Sequence, residues 1–171
     1  EGLELVLMTL AIAMGIQVAV QSRLVEGHSM EPTLHDQQRL LISRTAYSGY
    51  AEPQRGDIVV FHAWDSSEDY IKRVIGVPGD TVAVKGGKVF VNGAAVDEPY
   101  IRGETNGGSD GTVVLGRDDY YVMGDNRGNS ADSRLHGALG RKAIVGKAWI
   151  CYWPLKDLGL VSDSSTYAAA P

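Results

Sequence analysis

The sequence predicts a mostly β domain that follows an apolar N-terminal helix. Three observations lead to this prediction. Residues 3–20 are almost wholly apolar and are interrupted only by Glu4, Gly15 and Gln17. After Arg23, short runs of β-branched and aromatic residues alternate with glycine, which is typical of strands joined by turns. The close and repeated spacing of these runs indicates packed antiparallel sheets.

The apolar segment is long enough to cross a bilayer as a helix. Eighteen residues at about 1.5 Å each rise roughly 27 Å, close to the thickness of the hydrocarbon core. A cleavable secretory segment is the main alternative, and a buried globular helix is a weaker one. Secretory segments are usually shorter and end at a small-x-small site, whereas this one continues into Gln21-Ser22-Arg23. We therefore expect a transmembrane anchor helix over residues 3–22, with the lipid bilayer as a partner.

The strands are expected between residues 23 and 161, which form the β-rich domain. The best-defined hairpin surrounds Gly86-Gly87, because glycine supplies the positive φ that a two-residue turn requires. The small and polar residues 162–171 are expected to form a flexible tail. In chain order, the predicted strands are residues 39–43, 57–64, 70–77, 81–84, 88–91, 111–115, 120–123 and 143–152.

Composition limits both the architecture and the partners. A chain of 171 residues, 44% hydrophobic and 22% charged, fills one compact core rather than two. The net charge of -5 and the absence of a basic run argue against nucleic acid as a partner. Cys151 is the single cysteine, and the four histidines lack the spacing of familiar metal sites. We expect no metal and no cofactor.

Two short segments predict the chemistry. Residues 29–34 are Ser-Met-Glu-Pro-Thr-Leu, and Lys72, in the segment 69–73, has the apolar and aromatic flanks Tyr70, Ile71, Val74, Ile75 and Val77. A serine hydroxyl becomes a good nucleophile when a neighbouring base takes its proton. An amine can act as that base if desolvation lowers its pKa. The segments suggest a serine protease that uses Ser29 and Lys72, although each residue alone is better explained as a turn serine or a surface lysine.

Four blocks of the sequence together resemble the bacterial type I signal peptidases. The blocks are residues 27–34, 55–61, 69–80 and 124–134, and the resemblance extends over nearly the whole chain. The first two blocks also resemble LexA-like self-cleaving proteases, so they identify only the wider serine–lysine group. The resemblance implies packed antiparallel sheets of the signal peptidase type with an N-terminal transmembrane helix.

The resemblance also assigns roles to individual residues. It implies that Ser29 is the nucleophile, that Lys72 is the general base and that the hydroxyl of Ser130 hydrogen-bonds the lysine amine. Glycine at position 27, where some members have serine, resembles the Gram-positive type and leaves the second oxyanion donor open. The residues implied to support the site structurally are Gly27, Asp125, Arg127, Asp132 and Arg134.

The implied substrates are exported preproteins, whose signal peptides are cut after a small-x-small (Ala-x-Ala) motif. The catalytic domain would then lie on the extracytoplasmic side of the plasma membrane. A substrate strand could add along the edge of residues 69–72, where main-chain bonds would hold it. By position, the residues implied to bind substrate are Val25, Met30, Leu34, Asp69, Tyr70 and Ile71, although each could instead pack in the core.

Two rival functions remain open from the sequence. A LexA-like regulator would need a DNA-binding domain and an internal cleavage loop, and neither is visible. The chain could also be an inactive homologue, a membrane-tethered β domain that binds exported peptides without cutting them. The presence of Ser29, Lys72 and Ser130 together favours an enzyme.

Overall fold

Two antiparallel sheets dominate the computed structural model, which describes residues 2–64, 66–105 and 111–161. The predicted tail, 162–171, lies outside the described residues. The larger sheet has the order β1-β2-β11-β3-β4-β9-β10, with β12 also paired to β11. Its strands are β1 Val20–Leu24, β2 Arg39–Ser43, β3 Ile58–His62, β4 Asp69–Gly76, β9 Asp119–Met123, β10 Leu139–Gly140, β11 Ile144–Trp153 and β12 Gly159–Leu160.

The smaller sheet has the order β7-β6-β5-β8. Its strands are β5 Thr81–Lys85, β6 Lys88–Val91, β7 Ala94–Ala95 and β8 Gly111–Val114. The hairpin predicted around Gly86-Gly87 is present, since β5 pairs with β6 and both glycines have positive φ. The mostly β, antiparallel prediction is therefore confirmed.

The N-terminal helix α1, Gly2–Ala19, is shorter than the expected 3–22. Residues 20–22 belong instead to β1, which pairs with β2 from Val20↔Ser43 to Leu24↔Arg39. The polar residues Gln21 and Ser22 thus satisfy their backbone groups in the sheet rather than in a helix. Among the described residues, no helix is both long and apolar enough to cross a membrane.

The apolar core is divided into three clusters. One lies beneath the turn that carries Ser29 and includes Val25, Met30 and Leu34. A second joins the small sheet to the large one through residues such as Ile75 and Val82. The third covers the other part of the large sheet, where Phe61, Val74 and Tyr120 pack. The first cluster holds the Ser29 turn against the sheet.

Strand β4 contributes a free edge close to Ser29. Residues 69–73 of β4 pair with β3, and Lys72 lies opposite Val59. On its other side β4 pairs with β9 only from Arg73 onward. Within the described residues, the side of 69–72 that faces away from β3 therefore has no neighbouring strand.

Candidate active site

The structure brings Ser29 and Lys72 into direct contact. The Nζ atom of Lys72 lies 2.9 Å from the Oγ atom of Ser29 and 2.9 Å from the carbonyl oxygen of Ile71. Lys72 is held by the paired strand β4, and Ser29 by a turn that we call the Ser29 turn, residues 26–34. As an ammonium, Lys72 donates to the hydroxyl, and after losing its proton it can accept the hydroxyl proton over the same distance.

The environment of Lys72 favours the neutral amine. The side chain is only 4% exposed, and this burial lowers its pKa from 10.5 to about 8. The carboxylates of Asp132 and Asp125 act in the opposite direction, since negative charge stabilises an ammonium. Burial has the larger effect, partly because each carboxylate is paired with its own arginine.

Ser130 is not placed as expected. Its hydroxyl donates to Asp132 Oδ2 at 2.7 Å, whereas the hydrogen bonds of the Lys72 amine go to Ser29 and to the Ile71 carbonyl. The buried carboxylate is the stronger acceptor, because a hydrogen bond to a charged group is worth more than one to a neutral amine. Ser130 therefore stays near the site but is oriented by Asp132.

Asp132 organises the segment 124–134. It accepts the backbone N–H of Gly124 at 3.0 Å and guanidinium N–H groups of Arg134 at 2.8 and 2.9 Å. It also caps the short helix α2, Ser133–His136, by accepting the backbone N–H of Arg134. Burial alone would raise the pKa of Asp132, but the hydrogen bonds from Arg134 and its neighbours hold it below the ordinary value. Asp132 and Arg134 thus form a buried support.

Two more buried ion pairs brace the same segment. Asp125 receives Arg73 Nε and Nη2 at 2.9 and 2.7 Å, and both side chains are inaccessible to solvent. Arg127 pairs with Glu98 and also donates to the carbonyl of Gly124 at 3.1 Å. The sequence indicated Asp125 and Arg127 but not their partners, which lie 52 and 29 residues away in the chain.

Two glycines are required by geometry. Gly27 has φ of +86°, which L side chains rarely adopt, and its N–H donates to Asp36 at 2.8 Å. Gly124 lies where an added Cβ would be 2.3 Å from Ser130 Oγ and 2.4 Å from the Ser29 carbonyl oxygen. The Ser29 turn can therefore approach the 124–134 segment only because position 124 has no side chain. Sequence reasoning did not assign this role to Gly124, although the residue begins the fourth block.

A cleft of about 370 Å³ opens beside the Ser29–Lys72 pair. Four of the predicted substrate-binding residues line it, as does the supporting residue Gly27. The predicted lining residues found there are Val25, Asp69, Tyr70 and Ile71, and residues that were not predicted include Arg23, Leu24, Glu26, Asn129 and Ala131.

Met30 and Leu34 do not line the cleft. They are 1% and 3% exposed and pack in the apolar cluster beneath the Ser29 turn. Their side chains point into the core that supports the turn, and their contact with substrate stays a prediction. No local pattern distinguishes an apolar residue under a site from one in its wall.

Charged residues border the cleft between β1 and β4. Arg23 donates to Asp69 Oδ2 at 2.7 Å, and the ring nitrogen Nδ1 of His62 lies 2.7 Å from Asp69 Oδ1. Asp69 therefore ties the two strands together at the rim. Among the described residues, no group of three or more His, Cys, Asp or Glu side chains is arranged to hold a metal ion.

The chain is similar to known signal peptidases over most of its length. The family model described as signal peptidase, peptidase S26, matches residues 2–153. A signal peptidase I of Leptolyngbya laminosa is 36% identical, with 98% of this chain and 86% of the relative covered. Signal peptidase I T of Bacillus subtilis is 41% identical, with 79% and 75% covered.

A solved structure agrees with these relatives. The signal peptidase I of Enterococcus faecalis V583 is 29% identical, has a TM-score of 0.50, and covers 58% of this chain and 98% of its own. Sequence, family model and structure thus agree on one assignment. The chain belongs to the signal peptidase family, peptidase S26, and is a peptidase.

Proposed function

We propose that this peptidase removes N-terminal signal peptides from exported preproteins, cutting after a small-x-small (Ala-x-Ala) motif with a Ser29–Lys72 dyad. The observation that carries the proposal is the 2.9 Å contact between Ser29 Oγ and a lysine amine that is almost completely buried. The relatives named signal peptidase I support the substrate class.

The reaction begins with the neutral amine of Lys72. It takes the proton of Ser29 as Oγ attacks the carbonyl carbon of the small residue that precedes the cut bond. The tetrahedral intermediate collapses to an ester on Ser29, and the leaving amine receives the proton from Lys72. Water, deprotonated by the same amine, then hydrolyses the ester and releases the free hydroxyl of Ser29.

The backbone N–H of Ser29 is the first donor to the oxyanion. The N–H of Gly27 is already bonded to Asp36, so it is not available as the second donor without a rearrangement. Ser130 accepts no proton in this scheme. Its hydroxyl, oriented by Asp132, lies beside Gly124 and helps to shape the surroundings of the dyad.

The free edge of β4 at 69–72 is suited to bind the substrate as an added strand. Alternate side chains of such a strand would face the cleft wall, where Val25 and Ile71 lie. Because overfilling a packed apolar pocket costs about 1–3 kcal/mol, a shallow wall excludes large side chains and admits alanine.

We further propose that the peptidase works at the plasma membrane, with α1 in the lipid and the β domain on the extracytoplasmic side. The exposed large apolar side chains of α1 are 56–72% accessible, from Leu3 to Met14. A surface of this kind is stabilised by burial in lipid.

The function is tested by cleavage of an Ala-x-Ala preprotein in detergent or lipid. Ser29→Ala and Lys72→Ala should each abolish cleavage, because the first removes the nucleophile and the second the base. Lys85→Ala is the matched control, since Lys85 is an exposed strand lysine at the end of β5. Retained turnover in either dyad variant, or equal cleavage of a substrate with tryptophan in place of both alanines, would refute the proposal.

A further inference from the structure

Asn126 contacts the backbone on both sides of the Cα atom of Ser29. Its side-chain Nδ2 donates to the carbonyl oxygen of His28 at 3.0 Å. Its own backbone N–H donates to the carbonyl oxygen of Ser29, also at 3.0 Å. Two successive peptide planes are therefore held by one residue, and neither the dyad chemistry nor the cleft uses that residue.

The first of these bonds, together with the longer bond of 3.3 Å that the Glu31 backbone N–H donates to the same carbonyl, sets the direction of the Ser29 N–H. In a trans peptide unit the C=O and the N–H point in opposite directions. The His28 carbonyl points to Asn126, so the N–H of the same unit, which belongs to Ser29, points away from Asn126. His28 and Ser29 line the cleft, whereas Asn126 does not. This orientation leaves the N–H available on the cleft side of the turn.

The second bond restricts Ser29 itself. When the peptide planes before and after a residue are both held, its φ and ψ are held too, and with them the direction of its Cα–Cβ bond. The Oγ of Ser29 is then directed toward Lys72 by the backbone as well as by its hydrogen bond to the amine. One asparagine thus orients both the nucleophile and the proposed oxyanion donor.

Asn126 is itself held by its neighbours. Asp125, on one side, forms the buried pair with Arg73, and its carbonyl accepts the backbone N–H of Arg102 at 2.8 Å. Arg127, on the other side, pairs with Glu98. Removing one partner of a buried ion pair leaves an uncompensated charge and is strongly destabilising, so such pairs resist displacement. The two pairs therefore place Asn126 firmly beside the Ser29 turn.

We propose that Asn126 is a positioning residue, which orients the His28–Ser29 peptide so that its N–H can stabilise the oxyanion. The inference rests on the proposed function. Without the Nδ2 donor, the longer 3.3 Å bond from the Glu31 N–H still holds the His28 carbonyl, but the peptide plane can rotate further and turn this carbonyl toward the developing negative charge. Loss of one oxyanion donor lowers kcat by about 10²–10³-fold, and a plane that is only partly misoriented lowers it less.

The test compares Asn126→Leu with wild type on an Ala-x-Ala substrate. Leucine has a similar size but no donor, while the backbone N–H at position 126 is kept. We expect kcat to fall about 10–100-fold, with KM within about threefold and the alkaline inflection of the pH profile unchanged, because Lys72 keeps its surroundings. Gln54→Leu is the matched control, since the Gln54 amide also donates to a backbone carbonyl, that of Glu52, and does not line the cleft.

A purely structural role for Asn126 would give a different result. Loss of a hydrogen bond that only stabilises the fold would lower the melting temperature and leave kcat near that of the control. The inference would be overturned by a lower melting temperature with kcat near that of the control. A rise in KM alone or a displaced pH inflection would also overturn it. Asn126→Ala, which also lacks the donor and adds no charge near Lys72, provides the same comparison if the leucine variant does not fold.

A structure of the Asn126→Leu variant tests the inference without activity. The inference expects the His28–Ser29 peptide to be rotated or disordered between orientations. An unchanged peptide would overturn it, even if wild type cleaves preproteins normally. Failure of wild type to cleave would instead refute the proposed function and leave this structural comparison to decide the role of Asn126.

Discussion

At the scale of single residues, the pKa of Lys72 is set by two opposing effects. Burial removes hydration from the ammonium, while Asp132 and Asp125 stabilise it. The resulting pKa of about 8 leaves about a tenth of the amine neutral at pH 7. The sequence indicated the desolvation from the apolar neighbours of Lys72, but the opposing carboxylates come from a segment more than 50 residues away.

The first prediction concerns the pH dependence. Because the neutral amine is the proposed base, kcat/KM should rise with pH and level off above an inflection near 8. A pH-rate profile with a small Ala-x-Ala peptide measures this. An inflection near the ordinary lysine value of about 10.4 would contradict the desolvated base.

The free energy of unfolding should also depend on pH through Lys72, and the lowered pKa fixes the direction of the change. The folded pKa, about 8, lies below the unfolded value, so between about pH 8 and 10.5 the unfolded chain binds more protons. The Lys72 contribution therefore makes the protein more stable as pH rises through this window. Lys72→Met should remove that rise, which denaturant unfolding at pH 7.5 and 10 can measure.

The candidate site was predictable residue by residue only in part. Ser29 and Lys72 were predicted because their two segments, together with two further blocks, resemble the signal peptidases, although each residue alone is better explained as a turn serine or a surface lysine. The hydrogen-bond partner of Ser130 was not predicted correctly. A hydroxyl bonds whichever acceptor the fold places nearby, and the Asp132 carboxylate is a stronger acceptor than the Lys72 amine. For Met30 and Leu34 the sequence could not separate the core from the cleft wall.

At the scale of elements, the site depends on how closely two segments approach. The Ser29 turn lies against the start of the 124–134 segment, where the Ser29 carbonyl comes close to Gly124. Asp132 then holds Gly124 through its N–H, and the pairs of Asp125 and Arg127 hold the residues that follow. Packing between these two segments therefore sets the position of Ser29 relative to Lys72.

The close packing of the Ser29 turn against Gly124 predicts the effect of adding one methyl group at position 124. Gly124→Ala would place a Cβ at 2.3–2.4 Å from Ser130 Oγ and from the backbone of Ser29, so the turn must move. We expect a loss of about 1–3 kcal/mol in unfolding free energy and at least about a tenfold loss in kcat. Thermal unfolding and steady-state kinetics measure the two effects.

Gly128→Ala is the control in the same segment. An added Cβ there meets no atom within 4 Å, and the residue has no positive φ. Its stability should stay within about 0.5 kcal/mol of wild type. Equal effects of the two substitutions would show that close packing at Gly124 is not what positions the turn.

The elements themselves were largely predictable. All eight strands expected from alternation and β-branched content occur, and the second of them, 57–64, is two residues shorter at its end in the structure. Strand β1 was missed because it directly follows the apolar helix, so its polar residues were assigned to the end of that helix. The two-residue strands β7, β10 and β12 carry too few residues to show a period.

At the scale of the whole molecule, α1 differs from the sheets. Its large apolar side chains from Leu3 to Met14 are exposed, whereas the sheets bury apolar side chains in three clusters. The helix continues directly into β1, which lies at the edge of the large sheet and beside the cleft. A lipid surface that receives α1 would therefore also lie near the entrance for a membrane-bound substrate.

Membrane association is tested by flotation of the full chain with phospholipid vesicles. Wild type should float, and Leu7→Glu combined with Leu10→Glu should move it to the aqueous fraction, because each carboxylate in lipid costs about 2.5–3.5 kcal/mol. Val114→Glu, at an exposed apolar residue of β8, should float like wild type. Wild type that stays in the aqueous fraction would refute the proposed attachment.

The sequence by itself determined the class of the fold and the places of the main strands. These follow from alternation, turn residues and local apolar content, which act over a few neighbours along the chain. The pairing of a serine with a lysine was predicted from the resemblance of four blocks to the signal peptidases. Only the tertiary structure decided which acceptor Ser130 bonds, which apolar residues line the cleft and that Asn126 holds the Ser29 turn. Those contacts join segments up to 98 residues apart, and hydrogen bonds near 3 Å depend on how the segments pack.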